Sequence, residues 1–529
     1  MNSQLTIAAI LRRAETMAAG REIVSRRRDR SFHRSTYTEL GRRARQLVSA
    51  LQRLGLRQGA RIGTLCWSHH QHLKIYYAPI AGFVTHPINP RLHADDVAHI
   101  INHAGDEVLV VDDSLLGLYE QIRPKIAPNH VVIIGDERAD MRSYELLLAE
   151  GEPNAALPDL DENQTALVTY TGGTTGRPKG VEVSHRAIAV HALSSALGNF
   201  LAIRDSDTVM PVVPMFHALA WGWPYTSALL GAKQVLPGPL LDPISLLEDI
   251  DQERVTLTGG VPTVWMAMLA ALDAEPTRFD VSSLRAILSG GSTAPPAMIA
   301  GYRDRHGLNL VHTWGMTELT MGAIADVPWD LLDKAAEKQM AARLPQGRPM
   351  PFLEIQARSD KGIVPWDGRS MGEMEIRGPW VAREYIGAPE ISADRWTSDG
   401  WFRTGDIVTI DQRGYFTIHD RDKDLVKSGG EWISTPALES ALMAHPAVAE
   451  AAVIAIADEK WAERPLAVVV LRSGMTASAD DLRSFITPHV ARWWLPERFE
   501  FVDALPRTAV GKFDKITLRK KFGSKMDLA

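Results

Sequence analysis

Eleven consecutive residues, Tyr170-Thr-Gly-Gly-Thr-Thr-Gly-Arg-Pro-Lys-Gly180, concentrate glycine, hydroxyl groups and positive charge. Gly172, Gly173 and Gly176 let the backbone approach a ligand with no Cβ in the way. Thr171, Thr174 and Thr175 supply hydroxyl donors, and Arg177 and Lys179 supply cations. A strand that opens into glycines, hydroxyls and cations suits a phosphate group. Read alone, the same composition also describes a solvated turn. The stretch is not a Walker A loop, which needs Gly, four residues, then Gly-Lys-Ser/Thr. Gly172 meets Arg177 at the required place, Gly173 meets Pro178, and Lys179 is followed by Gly180.

The apolar run at 165–169 predicts the strand that presents this loop. Around it, apolar periodicity predicts helices over 6–19, 36–54, 93–103, 185–201, 243–253, 262–272 and 295–305. Short apolar runs predict strands at 61–66, 107–111, 131–134, 208–213, 255–258, 284–288 and 309–312. This alternation argues for an α/β fold, with largely parallel sheets covered by helices. Ligands in such sheets sit beyond the carboxyl ends of the strands. Ser289-Gly-Gly-Ser292 and Thr313-Trp-Gly-Met-Thr-Glu318 each follow a predicted strand directly, so they could converge with the glycine loop on one crevice.

From residue 346 the texture changes to shorter strands, at 373–377, 407–410 and 415–419, which predict a small β-barrel-like part or second β-rich layer. The charged junction Asp420-Arg-Asp-Lys-Asp424 marks a domain boundary. Beyond it, Thr435 with Pro436 predicts a helix start, and Ser478 with Asp481 predicts a capping box. The expected organisation is a large N-terminal domain over 1–419, a hinge at 420–423 and a small, mobile α+β domain over 424–529.

Composition narrows the function classes. The 529 residues carry a net charge of −6, which argues against nucleic acid as the main partner. The basic run Arg26-Arg-Arg28 reads as a solvated surface patch. A single cysteine, Cys66, excludes an intramolecular disulfide and a multi-cysteine zinc site. Residues 209–232 lack charge and are long enough to span a bilayer, but Pro211, Pro214 and Pro224 favour a buried strand–loop–helix passage. With no signal-peptide pattern at the start, the default compartment is cytoplasmic, with no integral membrane segment.

Read together, further motifs carry a resemblance. Pro214-Met-Phe-His217, Trp314-Gly-Met-Thr-Glu318, Gly372-Glu-Met-Glu-Ile-Arg-Gly-Pro379, Gly400-Trp-Phe-Arg-Thr-Gly-Asp406, Asp420-Arg421, Ser428-Gly-Gly-Glu-Trp-Ile-Ser434 and Pro506-Arg-Thr-Ala-Val-Gly-Lys512 follow one another in order. With the glycine loop they resemble the adenylate-forming superfamily of acyl-CoA synthetases, nonribosomal peptide adenylation domains and luciferase. The similarity covers residues 165 to 515 and is strongest to medium- and long-chain acyl-CoA ligases.

The resemblance implies an AMP-forming acid–thiol ligase. A carboxylate attacks the α-phosphate of ATP to give acyl-AMP and pyrophosphate, and coenzyme A then displaces AMP. The implied requirements are ATP, Mg²⁺, coenzyme A and a small carboxylic acid, and a homodimer is compatible. Thr171, Gly172, Gly173, Thr174, Thr175, Gly176 and Lys179 would hold the β- and γ-phosphates. Thr317 would contact phosphate, and Glu318 would be catalytic and coordinate the metal. Gly290, Gly291, Ser292, His312, Thr313, Trp314 and Gly315 would line the nucleotide site, with Trp314 stacking on adenine. Asp406 and Arg421 would take the ribose hydroxyls.

In this resemblance Lys512 is the catalytic lysine of adenylation and Lys423 the hinge. Ser428, Gly429, Gly430 and Glu431 would form the thioester face. His217, Ala218, Trp221, Gly222, Val261 and Met316 would line the acyl pocket, with His217 also at the catalytic centre. Two indoles near that pocket point to medium-chain, branched or aryl-substituted acids. Two positions depart from the pattern: Gly172 stands where serine is usual, and Trp314 where tyrosine is usual. The alternatives are a ligase loading a carrier protein, a long-chain fatty acyl-CoA synthetase, and an inactive scaffold; the five charged residues Lys179, Glu318, Asp406, Arg421 and Lys512 oppose the last.

Overall fold

A computed structural model describes residues 3–138, 140–171, 177–198, 200–421, 424–428, 431–458, 460–507 and 513–523. The chain divides into two units, residues 1–354 with 377–400, and residues 355–376 with 401–529.

The first unit is built on two sheets. One has seven strands in the order Arg142–Ser143, His130–Ile134, Asp106–Asp112, Arg61–Leu65, Val84–Pro87, Thr165–Tyr170 and Gly180–Ser184. Its pairs are parallel except the last. The interior strands read as near-continuous apolar runs because both faces are covered. Leu65, Leu109, Val111 and Ile133 pack with Val97 and Ile101 of the helix Ala94–Ala104.

The other sheet has nine strands. Its centre is a parallel run of Leu310–Met316, Ala286–Ser289, Leu257–Gly260, Thr208–Pro211, Lys233–Leu236 and Glu22–Arg26. Antiparallel strands close both edges. Its core joins Met210, Val235 and Ile287 to Leu246, Trp265 and Tyr302 of the covering helices.

Helix starts follow local chemistry. Thr6 and Thr36 accept hydrogen bonds from Ala9 N and Glu39 N, opening Ile7–Met17 and Tyr37–Arg53. The helix expected to reach residue 201 ends sooner, as His185–Ala196. The uncharged stretch is the expected strand, loop and helix, Thr208–Pro211 and Trp223–Leu230. Among the described residues no helix is long and apolar enough to cross a membrane. The basic run is not uniformly solvated. Arg26 is buried and pairs with Glu248 at 2.7 Å and Asp249 at 3.3 Å, while Arg28 is exposed. The strand Glu22–Arg26 is buried from Ile23 onward, and Arg26, its last residue, is buried with it.

The second unit holds two smaller sheets. The first orders Gly362–Ile363, Glu354–Ser359, Gly372–Arg377, Phe402–Ile410 and Phe416–Arg421. The second orders Glu431–Ile433, Val426–Ser428, Ala462–Leu471 and Val448–Asp458, with Arg498–Phe501 parallel beside Ala462–Leu471. Thr435–Met443 and Ala479–Ile486 pack on one face through Leu438, Leu442, Leu482 and Ile486. Lys515–Phe522 packs on the other through Leu518. The Ser478–Asp481 capping box forms as expected. The helix expected to start from a Thr435 cap is capped by Ser434, one residue earlier, because Asp420 takes the Thr435 hydroxyl.

Candidate active site

The glycine loop leaves and re-enters the seven-stranded sheet as a hairpin. Tyr170 stands opposite Gly180 in the antiparallel ladder. Thr171 N donates to Lys179 O at 2.9 Å, and Lys179 N donates to Thr171 Oγ at 3.0 Å, which closes the stem. Gly172, Gly173, Thr174, Thr175 and Gly176 lie outside the described residues. Gly180 is required by the ring beside it, since a Cβ there would stand 2.8 Å from Tyr170 Cζ.

Beyond the stem, Lys179 Nζ lies 5.0 Å from the centre of the Tyr385 ring, a cation–π contact. The Tyr385 hydroxyl donates to Glu318 Oε1 at 2.6 Å. Ala382 N donates to the Glu318 carbonyl at 2.7 Å. Glu318 is buried at 6% exposure. One tyrosine thus connects the lysine at the end of the loop to the carboxylate expected to hold a metal. Sequence reasoning missed Tyr385. It lies in Val381-Ala-Arg-Glu-Tyr385, a few residues past a recognised motif, and nothing in its local pattern separates it from a core tyrosine.

The residues expected on the nucleotide side come from neighbouring strands of the nine-stranded sheet. The strand expected to end at His312 runs on to Met316, so Thr313, Trp314 and Gly315 are strand residues rather than a loop. The antiparallel partner Thr320–Ile324 holds them. Register shifts between Trp314 and Gly315 and leaves Gly322 as the extra residue. Trp314 lies over Gly322, with Cζ3 2.9 Å from where a Cβ would stand, and is 7% exposed. A Cβ on Gly315 would collide with the Thr320 carbonyl at 1.9 Å. Thr313 Oγ donates to Ala323 O at 2.6 Å.

His312 is fully buried. Burial pushes its imidazole down to about 4, so the ring is neutral at ordinary pH. Thr313 and Trp221 both crowd Gly290, at 2.8 and 3.0 Å from a Cβ position. Gly291 has a φ of 85° and lies against Val261. Trp221, Val261, Gly290, Gly291 and Thr313 are thereby brought together. Thr317 and Met316 are half-buried beside Glu318.

The aromatic segment takes an unusual path. Leu219, Ala220 and Trp221 all have left-handed backbone, with φ of 47°, 50° and 53°, and Gly222 continues it at 74°. Left-handed geometry costs roughly 1–2 kcal/mol for each residue with a Cβ. Strain of this kind persists only where surroundings enforce it. The turn follows His217 and Ala218, with Ala220 N donating to His217 O at 2.9 Å. It lays the Trp221 indole over Gly259 and Gly290. Trp223 meets Trp221 edge-on at 6.1 Å but is wholly buried, so it faces core rather than solvent. Under the turn lies a small cavity of about 20 Å³, room for about one water, lined in part by Leu167, Ile188, His191, Leu219, Gly222 and Trp380. Of the expected acyl-pocket residues, Gly222 lines it; His217, Trp221, Val261 and Met316 do not.

In the second unit, Asp406 and Arg421 face each other across adjacent strands, with Arg421 Nε 2.7 Å from Asp406 Oδ1. Asp406 is 2% exposed and Arg421 about 40%, so the pair offers a buried acceptor and an accessible donor. Ser428 accepts from Arg464 Nη1 at 3.1 Å and is paired with Glu431. Asp420 accepts from Thr435 N and Oγ at 3.0 and 2.6 Å, and burial raises its carboxyl. Lys515 pairs with Glu439 at 2.7 Å. Lys423, Gly429, Gly430 and Lys512 lie outside the described residues.

Among the described residues no cluster of three or more His, Cys, Asp or Glu could hold a metal ion. One buried carboxylate, braced by a phenol and next to a phosphate-suited loop, fits an ion that takes most of its oxygens from phosphate and water, as Mg²⁺ does.

A profile of the AMP-binding enzyme matches residues 11–386, and one of the AMP-binding enzyme C-terminal domain matches residues 437–512. The chain belongs to the AMP-binding enzyme family. This AMP-binding enzyme is 41% identical to a medium-chain-fatty-acid–CoA ligase of Ectopseudomonas oleovorans over 99% of its length and 97% of the relative's. It is 42% identical to a long-chain-fatty-acid–CoA ligase of Thermus thermophilus, over 99% and 96%. It is 41% identical to a 3-methylmercaptopropionyl-CoA ligase of Ruegeria lacuscaerulensis, over 99% and 98%. Its fold matches the anthranilate CoA ligase AuaEII in complex with anthranoyl-AMP, with a TM-score of 0.86 at 26% identity, covering 98% and 97% of the two chains.

Proposed function

We propose that this chain is an ATP-dependent acyl-CoA synthetase acting on medium-chain, branched or aryl-substituted acids. It makes the acyl-AMP with release of pyrophosphate, then the CoA thioester with release of AMP. The observation that carries the reading is Glu318, buried and held by Tyr385 under Lys179. A carboxylate attacking a polyanion needs charge neutralised where it develops. Lys179 and the threonine hydroxyls of the loop hold the β- and γ-phosphates, so the pyrophosphate leaves as a bound group. Glu318 and Thr317 orient the phosphates, and Mg²⁺, held at Glu318, supplies Lewis-acid charge when bound. Asp406 accepts from the ribose hydroxyls, Arg421 donates to them, and Trp314 stacks on adenine. Lys512 neutralises the α-phosphate and the acid. A hinge at 420–423, centred on Lys423, then brings Ser428, Gly429, Gly430 and Glu431 to the thioester step.

The choice of acid rests on the aromatic turn, whose Trp221 indole lies over Gly259 and Gly290. Relatives named for medium-chain and 3-methylmercaptopropionyl substrates support it. The reading places the enzyme in the cytoplasm and is compatible with a homodimer, which sedimentation of the purified protein tests. AMP release with ATP, Mg²⁺ and coenzyme A is measured across straight, branched and arylalkanoic acids. Octanoate and arylalkanoates are expected to exceed palmitate in kcat/KM. A palmitate preference overturns the choice of acid, and no carboxylate-dependent pyrophosphate release overturns the ligase reading.

A further inference from the structure

The segment 381–396, which carries Tyr385, contains a seven-residue helix, Pro389–Arg395. A helix this short is marginal on its own. Of its seven residues Ser392 is the buried one, at 7% exposure. A buried hydroxyl needs partners, and Ser392 finds them in its own segment. Its Oγ accepts from Tyr385 N at 3.0 Å and donates to Ala388 O at 2.8 Å. Trp396, just past the helix, adds two contacts. Its Nε1 donates to Ala382 O at 2.7 Å, and its ring meets Tyr385 edge-on at 5.1 Å and 79°.

Held in this way, the segment reaches two places. Ala382 N donates to the Glu318 carbonyl at 2.7 Å, and the Tyr385 hydroxyl donates to the Glu318 carboxylate at 2.6 Å. Ile386 N donates to Gly180 O at 2.8 Å, at the foot of the glycine loop and next to Lys179. Val181 packs with Ala382 and Tyr385, and Ala388 and Trp396 pack against them. Gly180 and Val181 belong to the seven-stranded sheet, whereas Glu318 sits at the tip of a hairpin of the nine-stranded one. No strand pairing joins the two sheets. The segment 381–396 therefore bridges them where Lys179 and Glu318 approach.

We propose that Ser392 and Trp396 are positioning residues for adenylation. By fixing Tyr385 and Ala382 they set the spacing between Lys179 and Glu318, and with it the seat of the β- and γ-phosphates of ATP. This rests on the acyl-CoA synthetase reading and deepens it. The thioester step, started from acyl-AMP, involves neither of those phosphates, so it should not sense the spacing.

The test compares two half-reactions, acid-dependent ATP–pyrophosphate exchange and thioester formation from supplied acyl-AMP. The acid is the most active of octanoate, palmitate and 3-phenylpropanoate. Removing the Ser392 hydroxyl takes this acceptor from the buried Tyr385 N–H, so Ser392→Ala is expected to lower kcat/KM for ATP in exchange about tenfold and to leave the thioester step largely unchanged. Ser392→Thr retains the hydroxyl and should restore exchange. Trp396→Phe keeps an aromatic edge against Tyr385, loses the bond to Ala382, and should lower exchange alone. If Ser392 acts through Tyr385, the double variant Ser392→Ala with Tyr385→Phe loses less than the product of the two single losses. Equal loss of both half-reactions in Ser392→Ala overturns the assignment, as do losses that multiply in the double variant. Should Ser392→Ala not fold, Trp396→Phe decides: exchange unchanged, or lowered together with the thioester step, overturns it. No exchange in wild type with any of the three acids overturns the ligase reading instead.

Discussion

Two ends of one site, both within the larger unit, are held by opposite means. At the charged end, Lys179, Tyr385 and Glu318 are joined by short, charge-assisted contacts, and the loop stem is closed by two hydrogen bonds. At the aromatic end, three residues with side chains sit in left-handed backbone, and the buried His191 Nε2 has no hydrogen-bond partner among the described residues. The first end spends its interactions on fixing charge in place, as a transition state that redistributes negative charge requires. The second keeps three residues in strained backbone. Under the proposed function, chemistry common to all acids falls at the first end and discrimination between acids at the second.

Substitutions can break this contrast. The largest effect belongs to charge: Lys512→Ala is expected to slow acyl-AMP formation by about 10²–10³ while sparing thioester formation from supplied acyl-AMP. Half-reaction assays check this, and equal loss of both steps removes Lys512 from its role. Next comes Tyr385→Phe, which takes away a hydrogen bond to a carboxylate. Pyrophosphate exchange should fall roughly tenfold with little change in which acid is preferred. A shift in acid preference would show that the two ends are not separate.

Gly222→Ala places a Cβ in left-handed backbone and against His191, and is expected to cost about 1–3 kcal/mol of stability. Thermal unfolding measures it, and an unchanged midpoint would mean that the turn relaxes freely.

What could be read in advance follows the same division. Strands such as Thr165–Tyr170 and Asp106–Asp112 were legible because sheets buried on both faces need continuous apolar runs. The capping box at Ser478 was legible because its chemistry is local, whereas the cap read at Thr435 falls at Ser434. The strand through Thr313–Met316 ran further than its residues suggest, since it depends on pairing with Thr320–Ile324, a tertiary partner. Tyr385 was not legible: it acts through a neighbour distant in sequence, Glu318. The left-handed turn was least legible of all. Leucine, alanine and tryptophan have no preference for that geometry, and only Gly222 hinted at it.

The extra residue at Gly322 is expected to make the hairpin of Leu310–Met316 and Thr320–Ile324 intolerant of changes in length. With one residue fewer the ladder would be regular, and by backbone pairing alone a better sheet. But each single-residue step turns a strand's side chains to the opposite face. Deleting Gly322 would remove the floor under Trp314, turn over the hairpin tip, and carry Glu318 away from Tyr385. Point substitutions in this hairpin can be graded by what they touch, whereas a deletion there is all-or-none.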